Sequence, residues 1–173
     1  MKIRTITILS TLAAACLAIQ LMPRPPNIEF TSLITFVTGA AFGGAAGATL
    51  GILVMLINGF LSTYGFASLL MPFQMLGMAT IGLAGGVFRR ISCKDNTLKW
   101  CMESAVLGAS LTLLYDITTN VGFAIMFNIP IIVSIITGIV FSFTHICCNA
   151  ILFSILVTPL LKIIGEMLGG DGV

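Results

Sequence analysis

Long apolar runs separated by short polar segments are the feature of this sequence that most limits its fold. Several runs reach the roughly 18–20 residues that a helix needs to cross a hydrocarbon layer about 30 Å thick. Hydrocarbon offers no water to the backbone, so a crossing segment must be a helix or part of a closed barrel. A barrel requires segments of about ten residues with alternating polarity, and the sequence has no such segments. The pattern therefore predicts an all-α membrane protein.

The charge content agrees with a membrane protein and argues against a nucleic-acid-binding protein. Charged residues make up 8% of the chain, whereas soluble domains contain about 25%. The net charge is only +2, and no basic cluster is interleaved with aromatic residues, so we expect no nucleic-acid partner. We predict a multi-pass protein of the cell (plasma) membrane, in contact with lipid.

The breaks between apolar runs predict one transmembrane domain, 1–173, built as a bundle of six helices. The predicted spans are 5–22, 30–43, 45–59, 69–88, 100–121 and 130–163. The stretch 30–60 is the hardest to divide, because as one helix it would exceed about 40 Å. We interpret it as two short helices that turn near Gly43 and Gly44, although the sequence leaves one helix open.

The basic residues indicate the orientation of the bundle. With six spans and the N-terminus inside, seven of the eight Lys and Arg residues are cytoplasmic and only Arg24 is outside. This asymmetry is what the positive-inside rule predicts, and a five-span arrangement gives six to two at best. Both termini are therefore predicted to be cytoplasmic.

Small residues recur at helical spacing in two places. Gly39, Gly43 and Gly47 are four residues apart, as are Ala14 and Ala18 in the first helix. Small residues at this spacing allow membrane helices to approach closely. The sequence leaves two interpretations open, which are packing within the chain and a surface for a partner subunit. We take these five residues as the candidate partner-binding set.

Asp116 is the most informative single residue. An ionisable side chain within a span is costly and is tolerated when it faces a cavity or a partner. Asn120 lies one helical turn further on the same face, and Tyr115 is adjacent. These three residues are candidates for substrate binding, with a structural hydrogen bond between helices as the alternative.

Further polar residues fall near the predicted outer ends of the helices. Polar groups from several elements that converge over an apolar bundle are typical of a small-molecule pocket. The additional substrate-binding candidates are Asn27, Glu29, Asn58, Tyr64 and Gln74.

Catalytic and metal-binding signatures are missing from the sequence. The motifs of zinc proteases, serine hydrolases and phosphate-binding loops are all absent. His145 is the single histidine, and it forms an i, i+4 pair with Asn149. It is predicted to lie about 20 Å along the last helix, too deep to meet Asp116, which argues against an intramembrane enzyme that uses both. We predict no catalytic residue, no metal and no cofactor.

The sequence resembles the substrate-binding S components of energy-coupling factor (ECF) transporters, which are vitamin-uptake relatives of ABC importers. The likeness covers nearly the whole chain and consists of short segments in corresponding places. These are 13–18, 26–31, 36–43, 71–76 (Met-Pro-Phe-Gln-Met-Leu), 82–86 and 114–120 (Leu-Tyr-Asp-Ile-Thr-Thr-Asn). The turn after Gly43 departs from the pattern, since it reads Gly43-Gly44-Ala45-Ala46 and lacks the usual proline.

The resemblance implies a non-catalytic subunit that binds a vitamin or micronutrient from outside, under a lid formed by residues 24–29. Ala14 and Ala18 would contact a transmembrane T component, and two cytoplasmic ATPases would supply energy. The segments around Gln74 and Asp116 look most like the branch linked to cobalamin or related corrinoids. The alternative function is a membrane scaffold that is assembled through its glycine and alanine residues and binds no ligand.

Overall fold

A computed structural model of the protein describes residues 3–22, 27–61, 67–92 and 97–168, and all regular elements in these ranges are α-helices. The helices are α1 (Ile3–Leu21), α2 (Thr31–Phe42), α3 (Gly44–Leu61), α4 (Ala67–Ile91), α5 (Thr97–Met126) and α6 (Ile131–Leu168). The predicted all-helical class is therefore confirmed for the described part of the chain.

Three helices of the described ranges are long and apolar enough to cross a membrane. They are Gly44–Leu61, Leu69–Ile91 and Ile131–Leu168, and two shorter apolar helices cover Thr5–Leu21 and Thr31–Phe42. These helices indicate a membrane protein. The count of six spans and the cytoplasmic position of both termini stay predictions.

A single residue separates α2 from α3. Gly43 has φ 102° and ψ 149°, a backbone conformation open to glycine and strained for residues with a Cβ. Its N–H donates to the carbonyl of Gly39 at 2.9 Å, which ends α2, and Arg89 Nη1 donates to the nearby Ala41 carbonyl at 2.9 Å. The structure thus divides this stretch into two helices, and the break lies at the predicted glycine pair.

Glycines bring the backbones of α2, α3 and α4 into direct contact. A Cβ added at Gly39 would overlap the backbone of Gly82 on α4, and one added at Gly47 would lie 2.6 Å from the Cα of Gly39. Because these two glycines are buried between the helices of this chain, the structure assigns them to internal packing rather than to a partner surface. Gly43 differs, since a Cβ there would have nothing within 4 Å.

Aromatic side chains pack α2 against α4 and α6. The ring of Phe36 on α2 lies 5.3 Å from that of Phe88 and 5.2 Å from that of Phe153, and Phe88 stacks on Trp100 at 6.3 Å. All four side chains are buried. This packing fixes α2 between α4 and α6 and brings its N-terminus next to the α5–α6 hairpin.

Helices α5 and α6 form a long antiparallel hairpin joined by only four residues, 127–130. The connection is closed by a hydrogen bond from the Ile129 N–H to the Ala124 carbonyl at 2.9 Å. With 38 residues, α6 is about 57 Å long. Residues at similar distances from this connection lie at the same height in the two helices.

Candidate functional site

Six polar side chains from three elements form one group, which we name the buried polar cluster. The members are Glu29, Ser32, Thr112, Asp116, His145 and Asn149, all buried. Glu29 and Ser32 stand at the start of α2, Thr112 and Asp116 are on α5, and His145 and Asn149 are on α6. The cluster is linked by hydrogen bonds and charge contacts, which is how buried polar groups offset the loss of water.

The central contact joins Asp116 to His145. The Oδ1 atom of Asp116 lies 2.8 Å from Nδ1 of His145, and the two residues are 3% and 4% exposed. The prediction that these residues are too far apart to meet is therefore wrong. The error lies in the end of the fifth helix, which runs to Met126 and not to residue 121. Asp116 is thus about 15 Å from its helix end and His145 about 21 Å from Ile131, a difference in height of about one helical turn, which two side chains can span.

Hydrogen-bond partners lie at both ring nitrogens of His145. Thr112 donates its only proton to the Gly108 carbonyl at 2.7 Å, so its oxygen accepts from Asn149 Nδ2 at 2.9 Å. The same amide nitrogen lies 3.2 Å from His145 Nε2, and Nδ1 on the other side of the ring faces Asp116 Oδ1 at 2.8 Å. A proton on Nδ1 is donated to Asp116, because a carboxylate can only accept. Asn149 and Asp116 thus hold the imidazole from two sides.

Glu29 approaches the same imidazole from the other side. Its Oε1 accepts a short hydrogen bond from the Ser32 hydroxyl and lies 3.9 Å from Nε2 of His145. The carboxylate also stands just before the first residue of α2, Thr31, where the helix dipole favours negative charge. His145 is therefore flanked by two carboxylates, of which Asp116 is hydrogen-bonded and Glu29 is at ion-pair distance.

Two aromatic rings enclose the imidazole. Tyr115 meets His145 edge-on with ring centroids 6.2 Å apart, and Phe141 lies 5.8 Å away. Tyr115 in turn packs against Gly77 on α4, where an added Cβ would lie 2.5 Å from the Tyr115 ring. The close approach of α4 at this glycine holds the tyrosine against the cluster.

A groove with a volume of about 460 Å³ opens beside the cluster, between α5, α6 and the start of α4. Asp116 belongs to both, since it lines the groove and also binds His145. The other polar lining residues are Thr119, Asn120, Ser134 and Thr137, and the apolar ones include Leu70, Phe123 and Phe141. The Oδ2 atom of Asp116 is buried and has no hydrogen-bond partner among the described residues.

The structure brings together four of the eight candidate substrate-binding residues. Glu29 and Asp116 belong to the cluster, and Tyr115 contacts it through His145. Asn120 lines the groove, and its Nδ2 donates to the Asp116 carbonyl at 2.8 Å. Gln74 lies on the same face of α4 as Leu70 and Gly77, which contact the groove and Tyr115.

The other candidates lie apart from this site or outside the described ranges. Neither Asn27 nor Asn58 lines the groove or hydrogen-bonds to the cluster in the part of the chain that is described. Asn27 has a left-handed backbone with φ 71°, and Asn58 is buried near the end of α3. Tyr64 falls outside the described residues. On α1, Ala14 and Ala18 are both exposed.

The sequence contains a spacing pattern that points to this site and that becomes visible only when α5 and α6 are compared. Polar or small residues recur every three or four positions on the two facing helices. On α5 these are Gly108, Thr112, Asp116 and Asn120, and on α6 they are Ser134, Gly138, His145 and Asn149, with two helical turns between Gly138 and His145. Such spacing places each set on one helix face, so the facing of the two sets could have been predicted from the short connection at 127–130.

No protein-family model, curated protein or solved structure matches the chain.

The chemistry that the site offers is that of a hydrogen-bond acceptor. Within the described ranges, no group of three or more His, Cys, Asp or Glu side chains is arranged to hold a metal ion. What the site offers is a carboxylate oxygen without a partner, beside a groove lined by polar and aromatic side chains.

Proposed function

We propose that this protein is the solute-binding subunit of an ECF-type micronutrient importer and has no catalytic activity of its own. The observation that carries the proposal is the position of Asp116. Its Oδ1 binds His145, its Oδ2 has no partner among the described residues, and the residue lines a groove. An ionisable residue at membrane depth marks a ligand or ion site by default, and a carboxylate with one satisfied oxygen is preorganised for a ligand.

The size of the groove supports a small ligand. A volume of about 460 Å³ falls within the range of small-molecule sites in proteins. A single-ring vitamin fits this space, whereas a corrinoid would bind with much of its macrocycle outside it. Cobalamin and its relatives therefore remain compounds to test, but we rank them after the smaller vitamins as candidate ligands.

The exposed face of α1 supports the partner part of the proposal. Ala14 and Ala18 are exposed together with Thr7 and Thr11 on the same helix, which leaves a surface of small side chains open to another membrane helix. We propose that the T component docks here, with two cytoplasmic ATPases attached to it. Six spans and cytoplasmic termini belong to the same proposal.

The contact between Asp116 and His145 also favours a second candidate function, an intramembrane hydrolase. A serine nucleophile would have to hydrogen-bond to His145 Nε2. Here the Ser32 hydroxyl donates to Glu29 and Nε2 faces the amide of Asn149. Solute binding accounts for this arrangement better than acyl transfer does, because the imidazole is already saturated by groups that cannot act as nucleophiles.

Ligand-dependent thermal stabilisation of the detergent-purified protein tests the proposal. A compound present at 100 times its dissociation constant adds about 2.7 kcal/mol to the free energy of unfolding. The panel consists of the B vitamins, with corrinoids included. We expect one compound to stabilise the wild type and Thr118→Ala, which lies outside the groove, but not Asp116→Ala. A flat panel with folded protein would favour the scaffold alternative.

A further inference from the structure

The groove beside Asp116 is lined by hydrogen-bond acceptors, because its hydroxyl groups have already donated their protons. Ser134 donates to the Asn120 carbonyl at 2.8 Å. Thr119 shares its proton between the carbonyls of Tyr115 and Asp116, each at 3.1 Å. A hydroxyl has one proton to give, so the oxygens of these side chains face a ligand with lone pairs only.

Thr137 follows the same rule, whereas Asn120 donates one of its two amide N–H groups and keeps the other. Thr137 donates to the carbonyls of Val133 and Ser134 at 2.9 and 3.0 Å. Asn120 uses an N–H for the Asp116 carbonyl, and its Oδ1 lies above Gly138, where an added Cβ would be 2.7 Å away. The absence of a side chain at Gly138 is thus what makes room for this amide between α5 and α6.

Acidic groups outnumber basic groups at the site. Glu29 and Asp116 are 9% and 3% exposed, and in the described part of the chain the side chain at ion-pair distance from either one is His145. One imidazole can balance at most one of the two carboxylates, so the group lacks at least one positive charge. A buried carboxylate without a balancing cation is costly, and a positively charged ligand would remove that cost.

We propose that the solute is a small organic cation with N–H donors, an amine or a nitrogen heterocycle, held by its charged nitrogen at Asp116 Oδ2. This assignment rests on the proposed function and names the substrate class. The rings of Phe123 and Phe141 also line the groove and supply aromatic faces for the ligand's positive charge. An anionic solute finds acceptors and a carboxylate in this groove and is repelled.

The test compares ligands that share a skeleton and differ in charge. One set is pyridoxamine, pyridoxine and 4-pyridoxate, and the other is 3-(aminomethyl)pyridine, nicotinamide and nicotinate. Thermal stabilisation of the full chain in detergent is measured at neutral pH for each compound. We expect the amine of a set to bind at least about tenfold more tightly than the neutral and anionic members. Any vitamin that stabilises the protein in the wider panel is classified by charge in the same way.

Two variants connect the preference to the groove without disturbing the buried cluster. Thr137→Lys places a positive charge among the lining residues, and Thr118→Lys places the same charge at a similar height on α5 outside the groove. Both threonines donate to the carbonyl four residues earlier, at 2.9 and 2.8 Å. We expect Thr137→Lys to abolish binding of the amine and Thr118→Lys to bind the amine as the wild type does. A third variant, Asp116→Asn, changes the proposed ligand contact itself and should weaken binding of the amine at least about tenfold.

The outcomes separate the assignment from the function on which it rests. Preference for the amine that is lost in Thr137→Lys supports the assignment. Equal or tighter binding of a neutral or anionic compound, unaffected by Thr137→Lys, overturns the assignment and leaves a solute-binding subunit. No stabilisation by these six compounds or by any vitamin of the panel, with folded protein, overturns both.

Discussion

The carboxylate of Asp116 lies 2.8 Å from Nδ1 of His145, across the interface of the two longest helices of the described chain. This contact uses one carboxylate oxygen and leaves the other buried and without a partner among the described residues, in a residue that lines a groove. Asn149 contacts the opposite ring nitrogen of His145. If Asp116 rotated away, the buried Nδ1–H of His145 would therefore lose its acceptor. The pair is thus both a structural link between α5 and α6 and the wall of the proposed binding site.

Asp116→Ala is expected to destabilise the protein more than Asp116→Asn. Alanine leaves the His145 N–H without an acceptor, which costs about 1–3 kcal/mol for a buried group, whereas asparagine still offers an oxygen. Thermal unfolding in detergent should place Asp116→Ala several degrees below the wild type. Equal melting temperatures for Asp116→Ala and the wild type would contradict the contact.

A double-mutant cycle measures the contact itself. Asp116→Ala and His145→Ala should show a coupling of about 0.5–3 kcal/mol, because the second substitution removes a partner that is already unpaired. The control cycle combines Asp116→Ala with Ser110→Ala, whose hydroxyl donates to the Val106 carbonyl on an exposed surface. Effects in the control cycle should add within about 0.5 kcal/mol. Additivity in both cycles would show that the two side chains do not interact.

The site shows what the sequence could and could not predict. The helices follow from the length of the apolar runs, and Asp116 stands out because an ionisable group is rare in such a run. The contact with His145 was missed because the fifth helix was ended at 121. Residues 122–126 are apolar or small, and the first strong break is Asn128, which has φ 52° before Pro130. Ending the helix at that break would have placed the two residues at similar heights.

The role of the glycines could not be predicted in the same way. The four-residue spacing indicates close helix packing, but it does not say whether the other helix belongs to the same chain. That depends on how α2, α3 and α4 cross, which is a property of the assembled bundle. In the structure, Gly39 and Gly47 contact each other and Gly82. The helix that they pack against therefore includes a residue more than 30 positions away in the same chain.

Two glycine-to-alanine substitutions should separate clash from backbone strain. At Gly39, the added Cβ would overlap the Gly82 backbone, and we expect loss of the folded protein or a large fall in melting temperature. At Gly43, nothing lies within 4 Å and only the positive φ of 102° opposes a side chain, so the cost should be about 1–3 kcal/mol. Size-exclusion profiles and melting curves in detergent measure both. Equal effects at the two positions would argue against the described helix packing.

Substitutions on the exposed face of α1 should affect partner binding alone. The double variant Ala14→Leu, Ala18→Leu adds bulk where both residues are exposed, so its stability should stay within about 0.5 kcal/mol of the wild type. Its recovery with a co-expressed T component and ATPases should fall sharply. Ala45→Leu, at an exposed alanine on α3, is the control. Undiminished recovery of the α1 variant would exclude this face as the docking surface.

Identifying the small molecules that the purified protein carries shows whether it binds a solute at Asp116. The wild type, Asp116→Asn and Thr118→Ala are purified in parallel from the same cells and denatured, and the released small molecules are measured by mass spectrometry. We expect one compound that approaches one molecule per chain in the wild type and Thr118→Ala and is depleted in Asp116→Asn. Equal small-molecule content in all three proteins, each shown to be folded, would contradict it.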